Sequence, residues 1–169
     1  RIKADPPKQK TVLSDAELVS LVTTCLADTK TPEVSAAIVF MVQSGAMVSE
    51  IARLNPSEVI ADLDAAIPQV TIGKSKDVKV KVEQRRRAVP IVFGKEYLRQ
   101  HLPRAIKHCS TTSESNMSKR ISNKKRLATG NNTLSAHCLR HTLKALSDSV
   151  DANQSRVAAI GGWSGGSGG

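Results

Sequence analysis

Three side chains near the end of this chain have the types and spacing to hold an anion. In Ser135-Ala136-His137-Cys138-Leu139-Arg140-His141-Thr142, a helix places His137, Arg140 and His141 at i, i+3 and i+4. One guanidinium and two imidazoles then leave the same helical face. Such a face suits a phosphate. A guanidinium donates two hydrogen bonds to two oxygens and stays charged, and an imidazole can carry a proton. Taken alone, a His-x-x-Arg pair reads first as a solvated helix edge.

The charge of the chain points to the same chemistry. Its 169 residues are enough for one domain with a real core, and 40% hydrophobic with 24% charged content is ordinary. A net charge of +10 is not ordinary for this length. Between Lys74 and Arg126 stand sixteen Lys or Arg against four acids, a balance of +12, so the remainder sums to −2. Charge concentrated in this way suits a polyanion, because each phosphate neutralised releases condensed counterions. Arg85, Arg86, Arg87, Lys119, Arg120, Lys124 and Lys125, with His141 beyond them, are the candidate backbone contacts. The alternative is a basic loop with solvated helix faces. Aromatic residues are few (Phe40, Phe93, Tyr97 and Trp163), which disfavours base stacking on single strands and leaves duplex DNA as the expected partner.

Other classes are disfavoured. Cys25, Cys109 and Cys138 are odd in number and widely spaced, so neither a disulfide framework nor a zinc site is expected, and a reducing cytoplasm is the default setting. No run approaches the roughly eighteen apolar residues of a membrane span, and no signal-peptide core is present. No metal or cofactor is expected. The chain opens at Arg1 and reads as a piece of something longer.

These residues need a scaffold, and the pattern predicts a mainly α domain with a small antiparallel sheet. Residues 1–12 carry Pro6-Pro7 and read as a linker. Ser14 and Glu17 form a capping box, with Leu13 and Leu18 at the staple positions. A second helix is expected from Pro32 to Gln43, broken at Ser44-Gly45, and a short one over Val48–Leu54, ended by Asn55-Pro56. Val70 with Ile72, then Val78, Val80 and Val82, then Ala88–Val92 alternate as strands. Helices follow at about Lys95–His108, Asn116–Ala128, Ser135–Val150 and Asn153–Ile160. The Gly/Ser tail 164–169 is a flexible tail or artificial linker.

The order His-x-Leu-Arg-His-Thr, an apolar helix, then Gly-Gly-Trp-Ser resembles the catalytic domain of the tyrosine recombinases, the phage-integrase family. Ser44-Gly45-Ala46-Met47-Val48-Ser49-Glu50 resembles the family's Thr-Gly-x-Arg-x-x-Glu, and Arg87-Ala88-Val89-Pro90-Ile91 its hairpin strand. The resemblance spans about Val12 to Trp163. It implies the family's catalytic-domain fold over residues 13–163 and DNA integration or recombination by a phage or other mobile element, encoded by a bacterium or phage. Strand transesterification there needs no metal. A tyrosine attacks phosphorus, and the 5′-hydroxyl later reverses the phosphotyrosine link. The implied roles fall on Arg140 as the second arginine, His137 as the proton-handling histidine, and Trp163 as an indole donor, although Trp163 also fits a core tryptophan. Lys74 fits the hairpin lysine that protonates the leaving oxygen, with Lys76 as rival. Self-association on DNA would come from parts outside this chain.

Two departures cut against activity. Met47 stands at the position of the first arginine, and Arg53, six residues on, points elsewhere around a helix. Loss of one transition-state guanidinium costs a few kcal/mol, or roughly two to three orders of magnitude in rate. The nucleophile is also missing. The family tyrosine follows the Gly-Trp segment by roughly nine residues, whereas this sequence carries only Tyr97, in a packing position. The expectation is therefore a recombinase catalytic domain cut before its nucleophile and inactive as it stands. The alternatives are a non-catalytic duplex-DNA-binding protein on a degenerate recombinase fold and, more weakly, a helical RNA-binding protein.

Overall fold

The computed structural model describes residues 11–73 and 86–163. The expected strand at Val78, Val80 and Val82 lies outside them, as do most of the 1–12 segment and the 164–169 tail. Helix α1 (Asp15–Leu26) starts at the expected capping box: Ser14 Oγ accepts from the Glu17 N–H at 3.2 Å, and Glu17 Oε2 accepts from the Ser14 N–H at 2.8 Å. Leu13 is buried, and its N–H donates to Thr142 Oγ1 at 2.9 Å, knitting this end of the chain to the helix that carries Arg140.

Helix α2 (Pro32–Ser44) is the axis of the domain. Every residue except Glu33 is buried, as an all-round apolar helix requires, and it packs against α1 and the later helices α5 (Lys95–Thr111), α6 (Glu114–Thr129) and α7 (Cys138–Ser149). It stops at Gly45, whose φ of +62° is a left-handed conformation open to glycine. That stop turns the chain into the four-residue helix α3 (Val48–Ile51).

The short helix does end before Asn55-Pro56, but one element was not expected. Asn55-Pro56 does not merely end a helix; it starts α4 (Pro56–Asp64). Asn55 Oδ1 accepts from the N–H groups of Ser57 at 3.0 Å and Glu58 at 3.5 Å. Pro56 takes the first helical position, where its missing N–H costs nothing. Val59 and Leu63, one turn apart, are buried where α4 meets α5 and the sheet.

Among the described residues the sheet is a two-stranded antiparallel pair, β1 (Gln69–Ile72) and β2 (Arg87–Pro90), with Val70 opposite Val89 and Ile72 opposite Arg87. Strand alternation puts Val89 and Arg87 on the buried face of β2. An arginine thus enters the interior at the end of the sheet. Helix α7 begins at Cys138, later than the expected Ser135, and is followed by α8 (Gln154–Gly161). Leu134 and Ala136 are buried and hold the preceding turn, so His137 becomes the N-cap. Among the described residues no helix is long and apolar enough to cross a membrane.

Candidate functional site

Arg140 is fixed by three neighbours. Its Nη1 donates to the Gly45 carbonyl at 2.6 Å and its Nη2 to the Gly162 carbonyl at 3.4 Å, and its guanidinium lies over the Trp163 ring, 5.0 Å from the ring centre. Each partner has a local reason to be there. Gly45 ends α2 and Gly162 ends α8, both with positive φ, so each turn presents a carbonyl outside a helical ladder. A cation between two carbonyls and an aromatic face is held with little freedom.

A half-open cavity of about 160 Å³ lies beside this guanidinium, lined by Ala46, Met47, Val48, Ala136, His137 and Arg140, with Met41, Glu114 and Ser118 completing the wall. His137 is exposed at the start of α7, and its ring meets that of His141 edge-on at 4.6 Å between centres. The expected helical face is therefore present: His137 and His141 are one turn apart, with Arg140 between them. Met47 shares the cavity with Arg140. Glu114 and Ser118, from the first turns of α6, were not singled out in the sequence; no local pattern announces them, because α6 reaches the cavity only through tertiary packing.

A buried ion pair is linked to the cavity wall through Met47. Arg87 donates from Nη1 to Glu50 Oε1 at 2.8 Å and from Nη2 to Glu50 Oε2 at 3.1 Å, with side-chain exposures of 4% and 10%. Glu50 Oε2 also accepts from the Met47 N–H at 2.9 Å and so fixes the start of α3. Burial alone would raise the Glu50 pKa, but the hydrogen bonds from Arg87 and from Met47, with the nearby charges of Arg87 and Arg140, hold it below its ordinary value. A Cβ at Gly162 would lie 2.6 Å from Arg87 Nη1, so this turn passes directly over the arginine.

Other candidate cations are placed differently from the surface reading. Arg87 is buried in that ion pair. Lys125 is fully buried, its Nζ donating to the Ser135 carbonyl and to Cys138 Sγ. Arg120 pairs with Glu33 and meets the His108 ring, and Lys124 pairs with Asp28 and Thr31. These four are anchored to the fold, and the physical reason is the same in each case: acids from other parts of the chain, or polar groups inside it, lie within reach. Arg86 and Lys119 remain exposed. Lys74, its rival Lys76 and Arg85 lie outside the described residues.

Trp163 contacts Arg140 but lines a second cavity of about 340 Å³ with Arg86, Arg87 and Gly162. Its ring packs on Gly161, where a Cβ would lie 2.1 Å from ring atom Cζ3. Gly161→Ala should therefore displace the indole and cost about 1–3 kcal/mol. Trp163 is the single tryptophan of the sequence, so the displacement should shift its fluorescence emission to the red; an unchanged spectrum would contradict the packing. Tyr97 is built into the scaffold: its hydroxyl donates to the Asp28 carbonyl at 3.2 Å, and burial pushes its pKa up to about 12.

Comparison with protein-family models and with curated proteins returns no match. Among solved structures, the chain is similar to the integrase of the transposon Tn1549 in complex with a circular intermediate DNA, with a TM-score of 0.63 and 18% identity over 94% of this chain. The match spans 60% of that chain. At this identity the likeness is one of fold. The shared fold is mainly helical with a small antiparallel sheet.

Proposed function

We propose that this chain is a duplex-DNA-binding domain of the tyrosine-recombinase type, whose cavity between α3 and α7 receives a backbone phosphate. The observation that carries this reading is the seat of Arg140, held by two glycine carbonyls and an indole beside a half-open cavity that His137 also lines. A guanidinium fixed in advance can bind the charge that gathers on phosphate oxygens without reorganising. In the finer form of the proposal the whole protein recombines or integrates DNA by transesterification through a phosphotyrosine. Residues 13–163 form its catalytic-type domain, Lys74 serves the leaving oxygen, and protomers associate on DNA through other parts. Arg86 and Lys119, both exposed, would supply further contacts to the DNA backbone.

The second reading, a non-catalytic DNA-binding protein on the same fold, is favoured by one observation: Met47, which the resemblance aligns with the first arginine, lines the cavity. Duplex binding tests what both share. Affinity for an arbitrary duplex should fall linearly on a log–log plot against salt with a slope of several units. Arg140→Ala should weaken binding by about tenfold or more, as loss of a charged hydrogen bond does. A salt-independent affinity would sink the proposal. A covalent adduct on nicked duplex, assayed with the protein extended through any residues beyond Gly169, selects the first reading; tight binding with no adduct selects the second.

A further inference from the structure

Lys125 is the one lysine among the described residues that is completely buried, and its Nζ stands 3.0 Å from Cys138 Sγ. The two groups come from different helices. Lys125 belongs to the last turns of α6 and Cys138 is the first residue of α7, so the contact exists only because the turn 130–137 folds back. Lys125 also donates to the Ser135 carbonyl, which fixes the amine beside the sulfur. Burial lowers the Lys125 pKa, only partly offset by the hydrogen bond to Cys138, which favours the neutral, nucleophilic amine. The other cysteines differ. Cys25 and Cys109 are buried as Cys138 is, with their thiols pushed up to about 11 by desolvation, but among the described residues neither receives a hydrogen bond from a lysine.

We propose that Lys125 and Cys138 form an oxidation-linked modification site, in which hydrogen peroxide converts Cys138 to a sulfenic acid that the Lys125 amine captures as a sulfenamide. The steps balance. The thiol sulfur takes one oxygen from peroxide and releases one water. The Nζ lone pair then attacks that sulfur, the N–S bond forms as the S–O bond breaks, and hydroxide leaves with the amine proton as a second water. The protein loses two hydrogens, and one peroxide becomes two waters. Capture of a sulfenic acid by a nitrogen neighbour is established cysteine chemistry, and an amine held at contact distance reacts at a high effective concentration. Ala136 and His137, the residues just before Cys138, line the half-open cavity, whereas Cys138 itself is 2% exposed, so peroxide reaches the sulfur through local opening of this turn. The link would tie α6 to the first turn of α7, between His137 and Arg140, and it stands whether or not the cavity binds phosphate.

The test is peroxide treatment of the folded protein, then non-reducing proteolysis and mass mapping. The expected product joins the Lys125 peptide to the Cys138 peptide with a loss of two hydrogens. It should be reversed by dithiothreitol and absent from Cys138→Ser and Lys125→Gln, while Cys25 and Cys109 stay mostly as thiols. Wild-type protein provides a readout that does not depend on either variant folding: with dimedone present during oxidation, adduct at Cys138 should replace the link. Recovery of Cys138 as a free thiol or as a sulfinic acid, with Lys125 unlinked, overturns the proposal, as does a link from Cys138 to any other lysine.

Discussion

Glu50→Ala should destabilise the domain by about 3–5 kcal/mol, because it leaves the Arg87 guanidinium buried without its carboxylate. For a domain of this size that is a fall in Tm on the order of 10 °C. Arg87 donates to both oxygens of Glu50 and is almost fully enclosed, with the Gly162 turn pressed on its Nη1. Removing both charges is a different experiment. Glu50→Leu with Arg87→Met should recover most of the stability, since two apolar side chains can replace a buried pair at little cost, yet it also removes the acceptor that holds the Met47 N–H. The pH dependence has a definite sign. The Glu50 pKa is lowered in the fold, so its contribution is complete above the ordinary carboxylate range and is lost as pH falls through the folded value. The stability gap between wild type and Glu50→Gln should accordingly be widest at neutral pH and close on acidification. Asp28 adds to the same acid limb. Burial works against its ionised form, but hydrogen bonds from Lys124, Ser35 and the Lys30 N–H hold its pKa well below the usual range. A gap that stayed constant with pH would contradict the ion pair.

Met47→Arg should tighten binding of phosphate, vanadate or duplex DNA at least about tenfold, which is 1.4 kcal/mol. Met47 lines the cavity with Arg140 and His137 and is only half-buried. A guanidinium there can therefore reach solvent or an anion, and Glu50, which already holds the backbone N–H of residue 47, lies close enough to share its charge. The competing outcome is that methionine fills an apolar gap between α2 and α3, so that a charge at 47 is buried unpaired and the domain unfolds. Melting and anion titration on the same sample separate the two. A large fall in Tm with no gain in affinity would remove residue 47 from the site.

Local sequence carried most of the elements. The Ser14/Glu17 capping box, the Gly45 stop and the long apolar stretch of α2 are set by side-chain and backbone chemistry within a turn or two, and each is found where expected. Asn55-Pro56 was legible too, since asparagine before proline is as good a helix start as a stop. Its sense was decided by Val59 and Leu63, which needed a core to face. The charge balance was a poorer guide. Counting cations between Lys74 and Arg126 says nothing of acids elsewhere in the chain, and Glu33, Asp28 and Glu50 reach Arg120, Lys124 and Arg87 only in three dimensions.

The sequence by itself determined the face of α7 that holds His137, Arg140 and His141, because spacing along one helix is a local property. It also determined that Met47 stands where the resemblance implies an arginine, since that is written in the residue type. Tertiary structure decided what surrounds that face: the carbonyls of Gly45 and Gly162 on Arg140, the wall that Glu114 and Ser118 add, and the burial of Arg87 and Lys125. These contacts join residues far apart along the chain. They depend on how α2, α6, α7 and the sheet pack, and packing is fixed by the whole core at once.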